Sequence, residues 1–430
     1  MSDKQFCLAL TGGSRRRGWL AAVGTLCLAS MLSGTAAAES TGNPPPALSP
    51  SLVYDGDGFA NVRGGLRRAG TYSGNLNLRL FVDGNAALGW PGTLAYVDAL
   101  WVHGGQPSNI VGDAQGVSNI SASGVTEIYE AWLQKNAFGN RLSVLGGLYD
   151  MNVEFYNLQA ASLFVNSSFG IGPEFSGSGV EGPSIFPKTA FGLRLAVKPS
   201  DATVIRLGVV NGVPFERPDG SHAIRKAGDG ALIVVEGALL DRPEKAERPQ
   251  NRRFQIGRHE SASSYDDKIA VGGWHYTSTF DDLVDLQADG TPIRRHGSSG
   301  YYAVGQALLY GSKARRVSAF AQAGVGDART GRFGSYVGTG VTASGLPGVA
   351  ADDELGLAVA VARNGSHYIA SQRLNSLRTT ASETAIELTF LHVISPHLYV
   401  QPDLQYVVHP NTDPRIRNAL ALQLRFEVAY

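Results

Sequence analysis

Leu420-Ala421-Leu422-Gln423-Leu424-Arg425-Phe426-Glu427-Val428-Ala429-Tyr430 closes the chain. Its apolar residues fall on every second position, and Gln423, Arg425 and Glu427 occupy positions between them. Successive side chains of a strand point to opposite faces, so this segment has one greasy face and one wet face. The same reading holds at the other end of the repeat. In residues 71–83 the apolar set is Tyr72, Leu76, Leu78, Leu80 and Val82; Ser73, Asn75, Asn77, Arg79 and Asp83 oppose it, with Phe81 the exception.

The alternation recurs in residues 189–198, 202–211, 383–391 and 398–406. It is weaker in 91–103, 125–134, 141–150, 230–240, 268–277, 301–310, 316–325, 334–344 and 354–363. With the closing segment that makes fifteen strands. Single-chain bacterial barrels usually have an even number, so the pattern predicts about sixteen, with the last in residues 251–259 or in the Gly-rich stretch before Tyr72. The fold class expected is all-β, a transmembrane antiparallel β-barrel. A soluble sandwich or solenoid would also alternate. Two features favour the barrel: strands of roughly ten residues with aromatics near their ends suit an apolar band and its girdles, and the last strand ends on Tyr430, as an outer-membrane barrel presents to its assembly machinery.

The first forty residues define the route. Lys4, Arg15, Arg16 and Arg17 precede an apolar run from Trp19 to about Leu32, and Thr35-Ala36-Ala37-Ala38 follows. These are the parts of a secretory signal peptide, and the run falls short of the roughly 20 apolar residues of a permanent span. Cleavage is expected after Ala38. A twin-arginine reading of Ser14-Arg15-Arg16 does not suit a barrel, and Leu26 before Cys27 does not suit a lipoprotein. The domain reading is therefore signal peptide 1–38, periplasmic leader 39–70 (residues 39–50 rich in Pro, Ser and Gly) and barrel 71–430.

Both cysteines, Cys7 and Cys27, lie in the signal, which leaves no thiolate ligand, nucleophile or disulfide in the mature chain. Lys and Arg number 37 and so do Asp and Glu; with the signal gone the balance is 33 against 36, and no basic field invites nucleic acid. Mean hydropathy is −0.06 with 53 glycines, and no long apolar run follows residue 38, which excludes a helical membrane protein.

Several stretches, taken in order, resemble the carbohydrate-selective porin (OprB) family. They are GLRRAGTYSGNL, VGDAQGVSNI, EIYEAWLQ, NSSFGIGP and KTAFGLRLAVKPSD, then ETAIELTFLHVISPHLYVQPDLQYVVHP from Glu383 to Pro410 with its Gln401-Pro402-Asp403-Leu404-Gln405-Tyr406 core. The likeness runs from about Asp57 to the last residue; Asn411-Thr412 stands where the family usually has a glycine pair. The resemblance implies a passive pore for small solutes, with a preference for monosaccharides such as glucose. A general or anion-leaning pore is the alternative, given four inward arginines.

A pore needs no catalytic group. Selection comes from the groups lining its constriction; hydroxyls bind charged and amide side chains, and ring faces bind aromatics. The inward-facing candidates are Arg79, Glu130, Arg194, Arg206, Glu383, Glu387, Gln401, Asp403, Gln405 and Arg425, with Trp132 as a stacking surface. Each could equally hydrate the wall or pair across strands. Residues 151–187, with Glu154, Tyr156, Phe164, Phe169 and Glu174, are the candidate segment folded into the bore, an ordinary surface loop being the alternative.

Tight turns are read at 198–201, 311–313 and 395–396, and long loops at 280–299 and 364–382. The orientation of the first third stays open, because 104–124 and 151–187 are both long. No cofactor is called for and no metal site is read: His259-Glu260 lacks a second histidine, and Asp281, Asp282 and Asp285 suit a solvated acidic tip better than a Ca²⁺ loop. No Ser/His/Asp set appears at a rim. The partners expected are sugars or other small polar solutes, outer-membrane lipid and the barrel-assembly machinery.

Overall fold

The computed structural model describes residues 46–214, 228–241, 265–312, 315–346, 350 and 352–430. Residues 1–38, read above as a signal peptide, and residues 251–259 fall outside this set. Sixteen strands form one closed antiparallel sheet. They are β1 Leu48–Gly65, β2 Ala69–Asp83, β3 Thr93–Gly104, β4 Val125–Ala137, β5 Leu142–Tyr149, β6 Ala190–Ser200, β7 Thr203–Asn211 and β8 Ala231–Leu240, then β9 Lys268–Leu286, β10 Pro292–Gly311, β11 Arg316–Gly326, β12 Phe333–Ser344, β13 Glu354–Asn364, β14 Ser382–Ser395, β15 Leu398–Val408 and β16 Arg417–Ala429. Each pairs with its sequence neighbour, and β1 closes on β16. Closure leaves the sheet no free edge, which hydrocarbon demands at several kcal/mol per orphaned backbone group.

The fifteen segments read from alternation all appear as strands. The sixteenth is β1, and it corrects the reading of residues 39–70 as a leader. Leu48 through Asn61 run in unbroken register with β2, and Val53 through Ala60 with β16. Its period is hidden because the outward positions Gly56 and Gly58 carry no side chain; a Cβ on Gly56 would lie 2.4 Å from the Tyr72 hydroxyl and 2.5 Å from the Phe426 ring, which cover it instead. The long loop expected at 280–299 is likewise mostly strand, since β9 and β10 run on as a ribbon and only 287–291 connects them.

Once β1 is counted, orientation follows. Connections 105–124, 150–189 and 365–381 all leave from the same end, and the tight turns after β6 and β14 leave from the other. In outer-membrane barrels the long connections are extracellular and the short ones periplasmic.

Register sorts the two faces. Asp55, Asp57 and Phe59 pair with Glu427, Arg425 and Gln423, and all six are buried inside. Leu422 and Leu424, between them, are 46% and 52% exposed. The outer surface carries many such residues, among them Leu193, Ile269 and Val271, far beyond the few-hundred-Å² apolar patch a water-soluble monomer tolerates. From Leu420 to Val428 the outward run rises about 20 Å once tilt is allowed, close to the apolar band of such barrels. Leu424→Arg is therefore expected to cost about 2–4 kcal/mol of folding stability in bilayers. Denaturant titration from lipid vesicles checks this; a negligible cost would put that face in water.

One proline breaks the ladder locally. Pro402 of β15 has no amide hydrogen, and the β14–β15 pairing is interrupted between Thr389/Asp403 and His392/Val400.

Candidate functional site

The barrel interior is occupied. Residues 150–189, between β5 and β6, turn inward and bury Phe155, Tyr156, Phe164, Phe169 and Phe175, each at most 1% exposed. Phe164 meets Phe169 and Phe320 at ring separations of 5.0 and 5.6 Å, and Phe175 stacks on Trp274 at 4.2 Å. Between these rings the wall facing this segment has a strip of small residues. A Cβ on Gly356 would lie 2.7 Å from Leu163 Cδ2, and one on Gly324 would overlap the Glu174 carboxylate. Ala358, Ala360 and Ala362 continue that strip on β13, fully or almost fully buried. The segment read as a candidate bore loop is thus a packed inner layer.

Residues 105–124, between β3 and β4, form a second inner layer that the sequence left as a plain loop. The two layers join through backbone bonds, Asn119 N to Val165 O and Ser167 N to Gly116 O, each 2.8 Å.

Inward polar side chains of the wall hold both layers by their backbone. The Glu387 carboxylate accepts the amides of Val165 (2.7 Å) and Asn166 (3.0 Å). Glu383 accepts the amides of Ala114 and Gln115 from the other layer, at 2.9 and 3.0 Å, and that of Asn411. The Gln401 amide donates to Leu163 O at 2.7 Å, and Gln405 donates to Val117 O at 2.8 Å. Glu236 and Gln306 accept the amides of Tyr156 and Ala160. Carboxylates that take two or more backbone N–H groups make charge-assisted bonds, roughly twice as strong as neutral ones.

The four inward arginines picked from the sequence are all matched. Arg79 lies 3.2 Å from Asp98, Arg194 2.8 Å from Glu154, Arg206 3.6 Å from Glu236, and Arg425 reaches both oxygens of Asp57 at 2.7 and 2.8 Å. Arg425 also donates to Asn119, and Asp57 accepts from Ser118 and Gln423. Glu130 accepts the Asp150 amide at 3.1 Å, where the longer layer begins. Asp403 accepts from Gln405.

All eleven residues picked from the sequence therefore sit on the inward face, but not as bare wall. Most are covered by the inner layers. Trp132 stacks on Tyr96 at 5.3 Å and is only 4% exposed, so its ring faces protein. Groups with partial exposure come instead from the longer layer, at Glu154, Asn157, Gln159 and Ser162. The signal for this arrangement lay in the small inward residues of β11 to β13, which leave room for a packed segment. The acidic set at the β9–β10 ribbon is also not a bare tip: Asp282 and Asp285 hold Arg295 at 2.8 and 2.7 Å.

Glu174 belongs to the inner layer and not to a strand. Burial raises its carboxyl to about 7 against the usual 4.5, only partly offset by the Tyr156 hydroxyl at 3.0 Å. Because the folded value is the higher one, the protonated acid stabilises fully below about pH 4.5, and that contribution is lost as pH rises through 7. Glu174→Gln is expected to raise thermal stability at pH 8, by about 3 kcal/mol at most, and to leave it unchanged at pH 4. Melting in detergent at the two pH values measures this.

Relatives agree with the geometry. Porin B of Pseudomonas aeruginosa is 24% identical over 410 residues, covering 88% of this chain and 87% of its own. The high-pH structure of Pseudomonas putida OprB superposes with a TM-score of 0.76 at 18% identity, over 89% of this chain and 94% of that one. An anion-selective porin from Comamonas acidovorans gives 0.51 at 12% identity, over 89% and 99%. Fold and family describe a channel of the outer membrane. With residues 67–430 matched by the carbohydrate-selective porin, OprB family, a range that takes in both inner layers and their anchors, the chain belongs to that family.

Proposed function

We propose that this porin passes small neutral sugars such as glucose by passive diffusion into the periplasm, through the polar gap left beside its inner layers. One observation carries the preference for neutral solutes. Each inward arginine, and Lys268 beside Glu236 at 3.4 Å, has an acid within 4.0 Å. With every one of these cations matched, none is left uncompensated to draw anions inward. That weighs against the anion-leaning reading, which needs uncompensated cations. The partly exposed Glu154, Asn157, Gln159 and Ser162 are the groups best placed to meet sugar hydroxyls, with Arg194 and Arg206 buried beside Glu154 and Arg79 beside Asp98. The remaining wall residues, from Glu130 and Trp132 to Glu383, Glu387, Gln401, Asp403, Gln405 and Arg425, would shape that gap by holding the layers.

Planar-bilayer recording tests the reading. Glucose should interrupt the current saturably, and anions should not pass in preference to cations. Current indifferent to sugars and dominated by anions would overturn it. The same reading carries removal of residues 1–38 on export and delivery to the assembly machinery through β16 and its terminal Tyr430; N-terminal sequencing of the outer-membrane form and deletion of Tyr430 test these two steps.

A further inference from the structure

We infer that the β1–β2 hairpin turn is a binding site for the phosphoryl headgroup of an outer-leaflet lipid. The inference rests on the outer-membrane placement and on the extracellular position of this end, not on which solute passes. Arg63, Arg67, Arg68 and Arg417 meet here: Arg63 pairs with Leu420 and Gly65 with Arg417 in the β1–β16 register. All four side chains are exposed. Among the described residues no acid lies within 4.0 Å of any of them. Elsewhere on the same rim some arginines are matched, Arg415 to Asp413 at 2.6 Å, Arg329 to Asp327 at 2.9 Å and Arg294 to Asp281 at 3.3 Å, whereas Arg363, Arg373 and Arg378 at the β13–β14 connection are spread along a strand end and a long segment. At the opposite end Arg141 faces Asp201 at 3.7 Å. Four arginines gathered at one turn and the strand end facing it thus make a local cationic excess in a chain of balanced charge.

The turn is held in shape. Gly64 and Gly65 have φ of +65° and +63°, and a Cβ on Gly64 would overlap the Asn418 carbonyl. Asn61 donates to Gly64 O at 2.9 Å and Arg67 O at 2.8 Å, and the amides of Leu66 and Arg67 donate to Ile110 O at 3.1 and 3.2 Å. Rigid backbone reduces the ordering that ligand binding costs.

Position selects a lipid over a free anion. Arg63 follows the last outward apolar residue of β1, Val62, and Leu66, next to Arg67 in the turn, is 57% exposed. Forked guanidinium groups directly above an apolar band, with a leucine among them, match a phosphate joined to acyl chains.

The test uses the mature full-length protein in phosphatidylcholine nanodiscs doped with diphosphoryl lipid A or with the same lipid stripped of phosphate. Wild type should retain the diphosphoryl form preferentially by native mass spectrometry. Arg67→Gln and Arg68→Gln should each weaken retention about fivefold, and the Arg63→Gln/Arg67→Gln/Arg68→Gln/Arg417→Gln variant should abolish the preference. Arg315→Gln at the other end should have no effect, and unchanged single-channel conductance shows that the variants fold. Equal retention of both lipids, equal loss in Arg315→Gln, or full competition by millimolar inorganic phosphate would each overturn the inference. None of these outcomes bears on sugar passage, which the bilayer recording decides separately.

Discussion

Replacing Glu383 and Glu387 together by alanine should raise single-channel conductance severalfold and remove the sugar block. Glu387 is the acceptor for two successive amides of the longer inner layer, and Glu383 for two of the shorter one. Truncation strands these backbone donors in a buried setting, at roughly 1–3 kcal/mol each. The loss, on the order of 5 kcal/mol, is large against the energy that holds a loop in one place, so both layers should leave the wall and widen the gap. Glu387→Gln keeps a single carbonyl oxygen where two are needed and should fall between wild type and the double variant. Conductance in planar bilayers, with and without glucose, reads the effect. A double variant with wild-type current and block would mean that the apolar packing of Phe164 and Phe169 alone holds the layers.

Asp57→Ala should lower barrel stability by about 3–5 kcal/mol. The change leaves Arg425 buried beside a missing partner, in the seam where the last strand closes on the first. Asp57 also accepts from Ser118 and Gln423, so the shorter inner layer loses a tether as well. Removing both partners, as Asp57→Leu/Arg425→Met, should cost less than the two single changes added together, because no orphaned charge then remains. The temperature at which the folded, heat-modifiable form disappears on gels gives the ranking. A single change that costs nothing measurable would show the seam is held by its backbone ladder alone.

How much of this could be read from the amino acids varied from strand to strand, for a physical reason. β2 and β16 alternate sharply because one face meets lipid and the other carries polar groups such as Asn75, Asn77, Gln423 and Arg425. β11, β12 and β13 alternate weakly because their inward face packs on protein: Phe320, Gly324, Gly340, Ala358 and Ala360 are what a covered wall requires. β1 is legible only as one of two alternatives, the Gly-rich stretch before Tyr72, because neighbouring rings, not its own side chains, cover its outer face at Gly56.

The site shows the same division. That Glu383, Glu387, Gln401 and Gln405 point inward followed from period two. Their bonds to segments more than two hundred residues away did not, because strand periodicity carries no information on where a connecting loop returns. The stretches that resemble the family did mark those partners. VGDAQGVSNI lies in one layer and NSSFGIGP in the other, and they touch at Gly116 and Ser167.

Cysteine scanning along β16 tests the account most directly, since Cys7 and Cys27 are the sequence's two cysteines and both precede the barrel, which offers a clean background. Fluorophores at 420, 422 and 424 in vesicles should be quenched strongly by nitroxide lipids, and those at 421 and 423 should not. Quenching that ignores this two-residue beat, or positions 422 and 424 labelled freely by a membrane-impermeant aqueous thiol reagent, would contradict a sheet closed between lipid and a polar interior.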